Sequence, residues 1–130
     1  MSTTYRHDIR IPYADVDQMG VVYYAHYLVY FEMARNALLR EAGMPYAQME
    51  QDGVMLPVVE AHCEYHLPAR YDDLITVCSE CLRLSGVRLR IRYEVYRDDT
   101  LLMTGYTHHV CMRPDGRVLR PTPALRRLCG

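Results

Sequence analysis

IPYADVDQMGVVYYAHYLVYFEMAR, Ile11 to Arg35, is the stretch whose reading decides the fold. It carries two acids, Asp15 and Asp17, on a segment expected to be extended, breaks at Gly20, and then becomes an almost unbroken apolar and aromatic run. Leu28, Phe31, Arg35, Leu38 and Ala42 recur at helical spacing, and Tyr27, Tyr30, Ala34 and Ala37 make a second row. The pattern predicts a helix over about 26–42 whose first turns are buried almost all round. Gly43 suits its C-terminal cap and Pro45 blocks continuation. Its start lacks a capping side chain, because Val21 to Tyr27 contains no Ser, Thr, Asp or Asn. A helix start carries N–H groups without intrahelical partners and partial positive charge. Either water and loop backbone satisfy these amides, or they stay free to hold an anion or polarise a carbonyl beside the two acids.

Working outward, residues 5–12 read as a short strand closed by Pro12, since proline cannot donate to a ladder. PYAQMEQ suggests a short second helix ending at Gly53. From Val54 the period switches to two. In VVEAHCEYHL, Glu60, His62, Glu64 and His66 share one face, and Val59, Ala61, Cys63, Tyr65 and Leu67 share the other, as in a half-buried antiparallel strand. His62 and His66, four residues apart on a strand, stand about 13 Å from each other, too far to share one metal ion. Pro68 to Asp73 turns the chain into a strand over 74–84, and Ser85-Gly86 reverses it into VRLRIRYEVY. There Arg88, Arg90 and Arg92 share a face that either pairs with acids such as Glu80 or meets an anionic ligand. The last strand, LLMTGYTHHVCMR, contains Gly105, which marks a bulge or a close approach. Thr122 as cap with Pro123 behind it allows a terminal helix, PALRRL. One helix followed by a four-strand meander, with a strand upstream, is an α+β arrangement in which the sheet curls round the helix.

With 130 residues, half of them apolar, the chain has room for one domain and a sizeable core. Its 15 cations, all arginine, and 16 acids are dispersed along the chain, which leaves no footprint for nucleic acid and no polybasic membrane anchor. No apolar run is long enough for a signal peptide or a bilayer span, so the expected location is the cytoplasm. Five cysteines at 63, 78, 81, 111 and 129, an odd number, fit reduced thiols; Cys78 and Cys81 form a CxxC on a strand, where residues three apart point to opposite faces. No metal site is expected.

The ordered set Tyr13-x-Asp15-x-Asp17-x-x-Gly20-Val21-Val22-Tyr23, then Ala25-x-Tyr27-Leu28 and Phe31-Glu32-x-Ala34-Arg35, resembles the signature of hot-dog-fold acyl-CoA thioesterases. It is similar to the branch of 4-hydroxybenzoyl-CoA thioesterase and the Tol-Pal-associated acyl-CoA thioesterases. Pro68-Ala69-Arg70-Tyr71-Asp72-Asp73 and Gly105-x-Thr107-x-His109-Val110 resemble later blocks of the same family, so the likeness covers residues 8–121 in order. The resemblance implies a hot-dog fold, a five-stranded antiparallel sheet wrapped around one long helix, assembling into dimers or tetramers with the active site at the subunit interface. It implies acyl-CoA hydrolysis with Asp17 as nucleophile or general base, the backbone N–H near Tyr24 as oxyanion donor, and Gly20 letting the backbone pass close to the acyl group. No cofactor is implied beyond the coenzyme A of the substrate. His26 stands where relatives commonly carry Asn, and is either a further titrating group near the site or a partly exposed first-turn residue. Tyr23 and Tyr27 are candidates to line the acyl pocket, and Arg70, Arg83, Arg88 and Arg90 to contact coenzyme A. Two other functions stay open: a hot-dog hydratase using Asp17 with His26, and a non-catalytic acyl-CoA binder. Asp15 reads as a loop hydrogen-bonding group rather than a catalytic one.

Overall fold

Helix α1 (His26–Glu41) lies against one face of a five-stranded antiparallel sheet in the computed structural model, which describes residues 4–130. The strands are β1 (Thr4–Arg10), β2 (Val58–Tyr65), β3 (Leu74–Arg83), β4 (Leu89–Arg97) and β5 (Thr100–His109), in spatial order β1-β3-β4-β5-β2. Only β3, β4 and β5 form the expected meander; β2 crosses over to pair with β5 and closes the opposite edge from β1. A short helix α2 (Tyr46–Gln51) follows α1, and a two-stranded ribbon of β6 (Cys111–Met112) and β7 (Val118–Leu119) leads to the terminal helix α3 (Pro123–Leu128). Thr122 caps α3 as expected, accepting from the Leu125 N–H at 3.3 Å.

The alternation on β4 works as its spacing requires. Leu89, Ile91, Tyr93 and Val95 are buried, in one core cluster with Tyr27, Tyr30, Phe31, Ala34, Leu38 and Leu39 of the helix. Phe31 and Tyr93 stack face to face with centroids 4.0 Å apart. Burying each such large side chain is worth about 1.5–3 kcal/mol, so the cluster between α1 and the inner face of the sheet supplies much of the fold's driving force. Gly105 makes this seam possible, since a Cβ there would stand 2.5 Å from the His62 carbonyl oxygen and 2.8 Å from the Phe31 ring. Of the two readings open for Gly105, a bulge or a close approach, the close approach is the one found.

Several expectations are corrected. The first turns of α1 are not buried all round: Leu28, Val29 and Met33 are exposed, because the sheet covers only one side of the helix in a single chain. Arg35 keeps its polar role within the apolar row, donating to Tyr93 Oη at 3.1 Å. β2 is exposed on both faces apart from Cys63, since an edge strand has no neighbour on its outer side. Tyr13–Asp15 forms a 3₁₀ turn rather than an extended segment. The cysteines are not all reduced either. Cys81 bonds to Cys129, 48 residues away, fastening the segment after α3 onto β3, while Cys63, Cys78 and Cys111 are free thiols. The CxxC spacing points Cys81 away from Cys78 and towards the chain end.

A buried polar chain crosses the core. His109 is fully buried, its Nδ1 donates to the Leu56 carbonyl at 3.0 Å, and its Nε2 therefore accepts from Thr107 Oγ1 at 2.8 Å. Thr107 then accepts from Tyr93 Oη at 2.8 Å, and Tyr93 from Arg35. Every hydrogen bond in the chain then runs in one direction, an arrangement that takes the imidazole as neutral. Burial first, and the Arg35 charge second, push the His109 pKa down to about 4.

Gly105→Ala is expected to cost about 1–3 kcal/mol, near the upper end because one clash is with main chain, read as a lower urea midpoint. An unchanged midpoint would contradict the close packing. For His109, an unfolded chain titrates near ~6.5, so between ~6.5 and about 4 the unfolded state holds a proton that the folded state refuses. Stability is full above that window and falls as pH drops through it. The advantage of wild type over His109→Gln should shrink by about 2–3 kcal/mol between about pH 7 and about pH 4.5, and a constant difference would mean the imidazole is not held neutral.

Candidate active site

The segment from Pro12 to Ala25 folds by local hydrogen bonds that the acids organise. Asp17 N–H donates to the Val21 carbonyl at 2.9 Å, Gly20 N–H returns to the Asp17 carbonyl at 2.9 Å, and Gly20 takes a positive φ of 77° that closes this loop. Met19 N–H donates to Asp17 Oδ1 at 2.9 Å. That single bond fixes the carboxylate and leaves Oδ2 with no protein donor among the described residues. Asp15 has a different task. Its carbonyl accepts the Tyr23 N–H at 2.9 Å, its Oδ2 accepts the buried Tyr30 hydroxyl at 2.7 Å, and its Oδ1 lies 3.7 Å from His26 Nδ1. It straps the loop to the first turn of α1. Burial, then this bond, pushes the Tyr30 pKa far up, so the phenol stays a donor.

The start of α1 has no side-chain cap. His26, Tyr27 and Leu28 N–H bond three residues back, to the carbonyls of Tyr23, Tyr24 and Ala25 at 2.9, 3.4 and 3.2 Å. The N–H groups of Tyr24 and Ala25 have no protein acceptor among the described residues. Their direction follows from peptide planarity, since N–H and the preceding C=O point opposite ways. The Tyr23 carbonyl points along the helix to His26, so Tyr24 N–H points out from its start. The Tyr24 carbonyl is held by Tyr27 N–H and by the Tyr65 hydroxyl at 3.0 Å, which in turn fixes the Ala25 N–H.

Asp17, Tyr24 and Tyr27 line one cavity of about 310 Å³, together with Met19, Val21, Val22, Tyr65, His66, Leu67 and Pro68. Its far wall is braced by the turn after β2. Val22 N–H donates to the Ala69 carbonyl at 2.8 Å, while Asp73 Oδ2 accepts from Arg70 N–H at 2.8 Å and from Arg97 Nη1 at 2.9 Å. Asp72, at a φ of 69°, completes this turn. Burial raises the pKa values of Tyr27 and Tyr65, so both phenols remain neutral donors in the wall.

The other candidates fall in different places. Tyr23 is exposed beside the cavity, its ring centroid 4.7 Å from that of Tyr24. Arg70 pairs by a β-bridge with Val21, and its Nη1 lies 4.0 Å from where a Cβ on Gly20 would sit, so it borders the same loop. His26 is turned to Asp15 and does not line the cavity. Arg83 and Arg88 line a separate cleft at the β3–β4 hairpin. Arg90 is elsewhere again, donating to His108 Nε2 at 3.0 Å with its guanidinium 4.2 Å over the Tyr106 ring, on the sheet face away from α1. Of the third arginine on that face, Arg92 pairs with Glu80 at 3.0 Å, the acid named from the sequence. Tyr65 and His66 join the site although nothing in the sequence marks them as site residues. Their period-two spacing identified a strand, while their place in the wall depends on β2 ending where the chain bends towards Pro68.

The sequence and the fold match known proteins. The family described as the thioesterase-like superfamily matches residues 11–127. The Bacillus subtilis protein YneP is 34% identical over 106 residues, spanning 81% of this chain and 77% of that protein. The acyl-CoA thioester hydrolase YbgC of Escherichia coli is 31% identical over 114 residues, spanning 87% of this chain and 85% of that one. Among solved structures, the hypothetical protein TT1821 of Thermus thermophilus superposes with a TM-score of 0.89 at 37% identity, covering 97% of this chain and 95% of that chain. The chain therefore belongs to the thioesterase-like superfamily and has the hot-dog fold.

Proposed function

We propose that the chain hydrolyses acyl-CoA thioesters to the free acid and coenzyme A at the cavity shared by Asp17 and the start of α1. The supporting observation is that a carboxylate with one unbonded oxygen and the uncapped helix start open on the same apolar-walled space. The name of the Escherichia coli relative gives acyl-CoA as that protein's substrate class, which favours the same class here.

The chemistry follows from charge. As the thioester carbonyl is attacked, negative charge builds on its oxygen, and the outward N–H of Tyr24 at the positive end of α1 is the donor that would stabilise it. Donors of this kind are worth ~3 kcal/mol in the transition state. Asp17 serves in one of two ways. It attacks the carbonyl carbon to give a mixed anhydride while the thiolate leaves, and water then hydrolyses the anhydride; or it takes a proton from a water that attacks directly. Both routes yield acid and thiol, and neither calls for a metal or redox cofactor. Gly20 keeps the loop backbone open to the acyl group, Tyr23 and Tyr27 flank it, and Arg70 beside the loop is suited to a phosphate of coenzyme A. A hydratase reading is weakened by the orientation of His26, which faces Asp15 rather than the cavity.

The exposed edge of β2, with Val58, Val59 and Tyr65 open to solvent, supports assembly into dimers or tetramers through this strand. Tyr65 and His66 would then bring the cavity to the subunit boundary.

Asp17→Asn is expected to lower the turnover number at least a hundredfold with the melting temperature unchanged, because a half-buried loop carboxylate outside the core adds little to its packing; retained turnover would reassign the catalytic group. Tyr65→Phe removes one of the two hydrogen bonds that hold the Tyr24 carbonyl and should lower kcat about three- to tenfold, the worth of one hydrogen bond. An unaffected kcat would mean that the helix start is fixed by other means.

A further inference from the structure

Helix α3 is fastened to the fold by one covalent bond and little else. Leu125 and Cys129 are buried and Leu128 packs against the core, but α3 has six residues, too few for a helix that is stable by itself. Its hydrogen bonds stay inside its own segment. Leu125 N–H donates to Thr122 Oγ1 at 3.3 Å, Arg126 N–H to the Thr122 carbonyl at 2.9 Å, and Cys129 N–H to the Leu125 carbonyl at 2.9 Å. Past Thr122, one hydrogen bond reaches the rest of the fold among the described residues, from Arg83 N–H to the Gly130 carbonyl at 3.1 Å, and no ion pair does. A cavity of about 250 Å³ also opens between Ala124, Arg127 and Leu128 on one side and Tyr5, Ala42 and Met44 on the other. The placing of α3 therefore depends on the bond from Cys81 to Cys129, which joins residues 48 apart and removes much of the freedom of the chain between them.

Both sulfurs are buried, so a reductant reaches them when the segment lifts. A segment with one hydrogen bond to its surroundings opens at far less cost than the sheet beneath it. Arg83 stands two residues from Cys81, and Arg127 two residues from Cys129. Cationic neighbours favour a thiolate as the product and draw in an anionic small thiol. The other thiols of the chain do not compete, because burial pushes those of Cys63, Cys78 and Cys111 up and keeps them protonated.

We propose that Cys81 and Cys129 form a redox latch: as a disulfide they hold α3 on β3, and as two thiols they release it while the sheet and the Asp17 cavity stay folded. The co-reactant is a small thiol of the glutathione class. Its thiolate attacks one sulfur of the pair, giving a mixed disulfide and freeing the other cysteine, and a second small thiolate then removes the first. Two small thiols are oxidised to their disulfide, and their two electrons and two protons end on Cys81 and Cys129. Exchange with the small disulfide runs the same steps backwards and closes the latch.

Its effect on catalysis rests on the acyl-CoA reading. Arg83 and Arg88, expected to contact coenzyme A, line a cleft whose other wall is Arg120, Pro121 and Arg126, on the segment that the latch releases. β3 runs ten residues from beside the Arg70 turn to Arg83, a path of about 30 Å, so coenzyme A held there meets the Asp17 of a second copy. Release of that wall loosens the hold on coenzyme A and leaves the reacting groups in place, which raises KM without lowering kcat.

The test treats the folded chain with reduced glutathione, alkylates it with a maleimide in denaturant and weighs it. Three adducts are expected before treatment and five after it. Hydrogen exchange at the Arg126 and Cys129 amides should quicken about a hundredfold while β3, β4 and β5 keep their protection, and oxidised glutathione should reverse both changes. Reduction that occurs only as the whole sheet loses protection, or α3 amides equally protected in both states, would overturn the latch. Cys129→Ser should exchange like the reduced chain in either redox state, and exchange like the oxidised chain would count against it equally. For an acyl-CoA, KM is expected to rise about fivefold on reduction and in Cys129→Ser, with kcat unchanged and with no change in KM for the matching S-acyl pantetheine, which has no phosphate. Equal KM for the acyl-CoA in the two states would overturn the control of substrate binding. If neither thioester is hydrolysed in either state, the proposed function fails, and the adduct count and exchange rates decide the latch by themselves.

Discussion

The arrangement depends on how an uncapped helix start is held in place. Most helices quench their first amides with a Ser, Thr, Asp or Asn side chain, and α1 uses none. Asp15 instead grips the Tyr23 N–H and the Tyr30 hydroxyl from one side, and the Tyr65 hydroxyl holds the Tyr24 carbonyl from the other. Both contacts avoid the amides that a cap would occupy. The first turn is thus rigid without being satisfied, which is what electrostatic stabilisation of an oxyanion needs: donors already aimed, with no reorganisation during the reaction. Asp15 and Asp17, two residues apart and chemically alike, have separate duties because one is tied to a phenol and the other opens on a cavity.

That first turn can be held firmly only because the rest of α1 cannot move. Phe31 lies flat on Tyr93, and the missing side chain at Gly105 lets the ring approach the backbone of β2 and β5. Tyr93 is also a link in the polar chain from Arg35 to His109, so one phenol anchors the helix by its face and the sheet by its hydroxyl. A chain of buried hydrogen bonds with all directions assigned specifies a single packing, at the cost of failing when its imidazole is protonated. The helix, its register on the sheet and the position of its start are therefore one problem rather than three.

Much of this was legible in the sequence, and the parts that were not share a cause. The apolar rows at period 3.6 and the cap at Thr122 follow from local rules and are found, while Gly105 and Arg92 each had two readings, of which the close approach and the Glu80 pair are the ones present. Local rules fail where a residue's surroundings are set by distant chain. β2 alternates correctly yet lies at an edge, so its apolar face is exposed; Leu28 and Val29 sit on the side of α1 that the sheet leaves bare. Cys81 was legible as pointing away from Cys78, but its partner at Cys129 depends on the path of α3. Within the site, Asp17 and Tyr24 lie on one continuous stretch and were nominated together. Arg83, Arg88 and Arg90 share a hairpin in sequence, yet strand alternation and the hairpin bend divide them between a cleft and the opposite sheet face. Tyr65 and His66 are not legible as site residues, because the crossover of β2 decides what they face.

The central claim is that Asp17 and the free amide at the start of α1 act on one thioester. The most direct measurement is a crystal structure of the chain with an acyl-CoA analogue in which a ketone replaces the thioester. The account predicts the ketone oxygen at hydrogen-bond distance, about 3 Å, from the Tyr24 nitrogen, and an Asp17 carboxylate oxygen, directly or through one water, on the carbonyl carbon. An analogue bound elsewhere, or one whose ketone faces neither group, would contradict it.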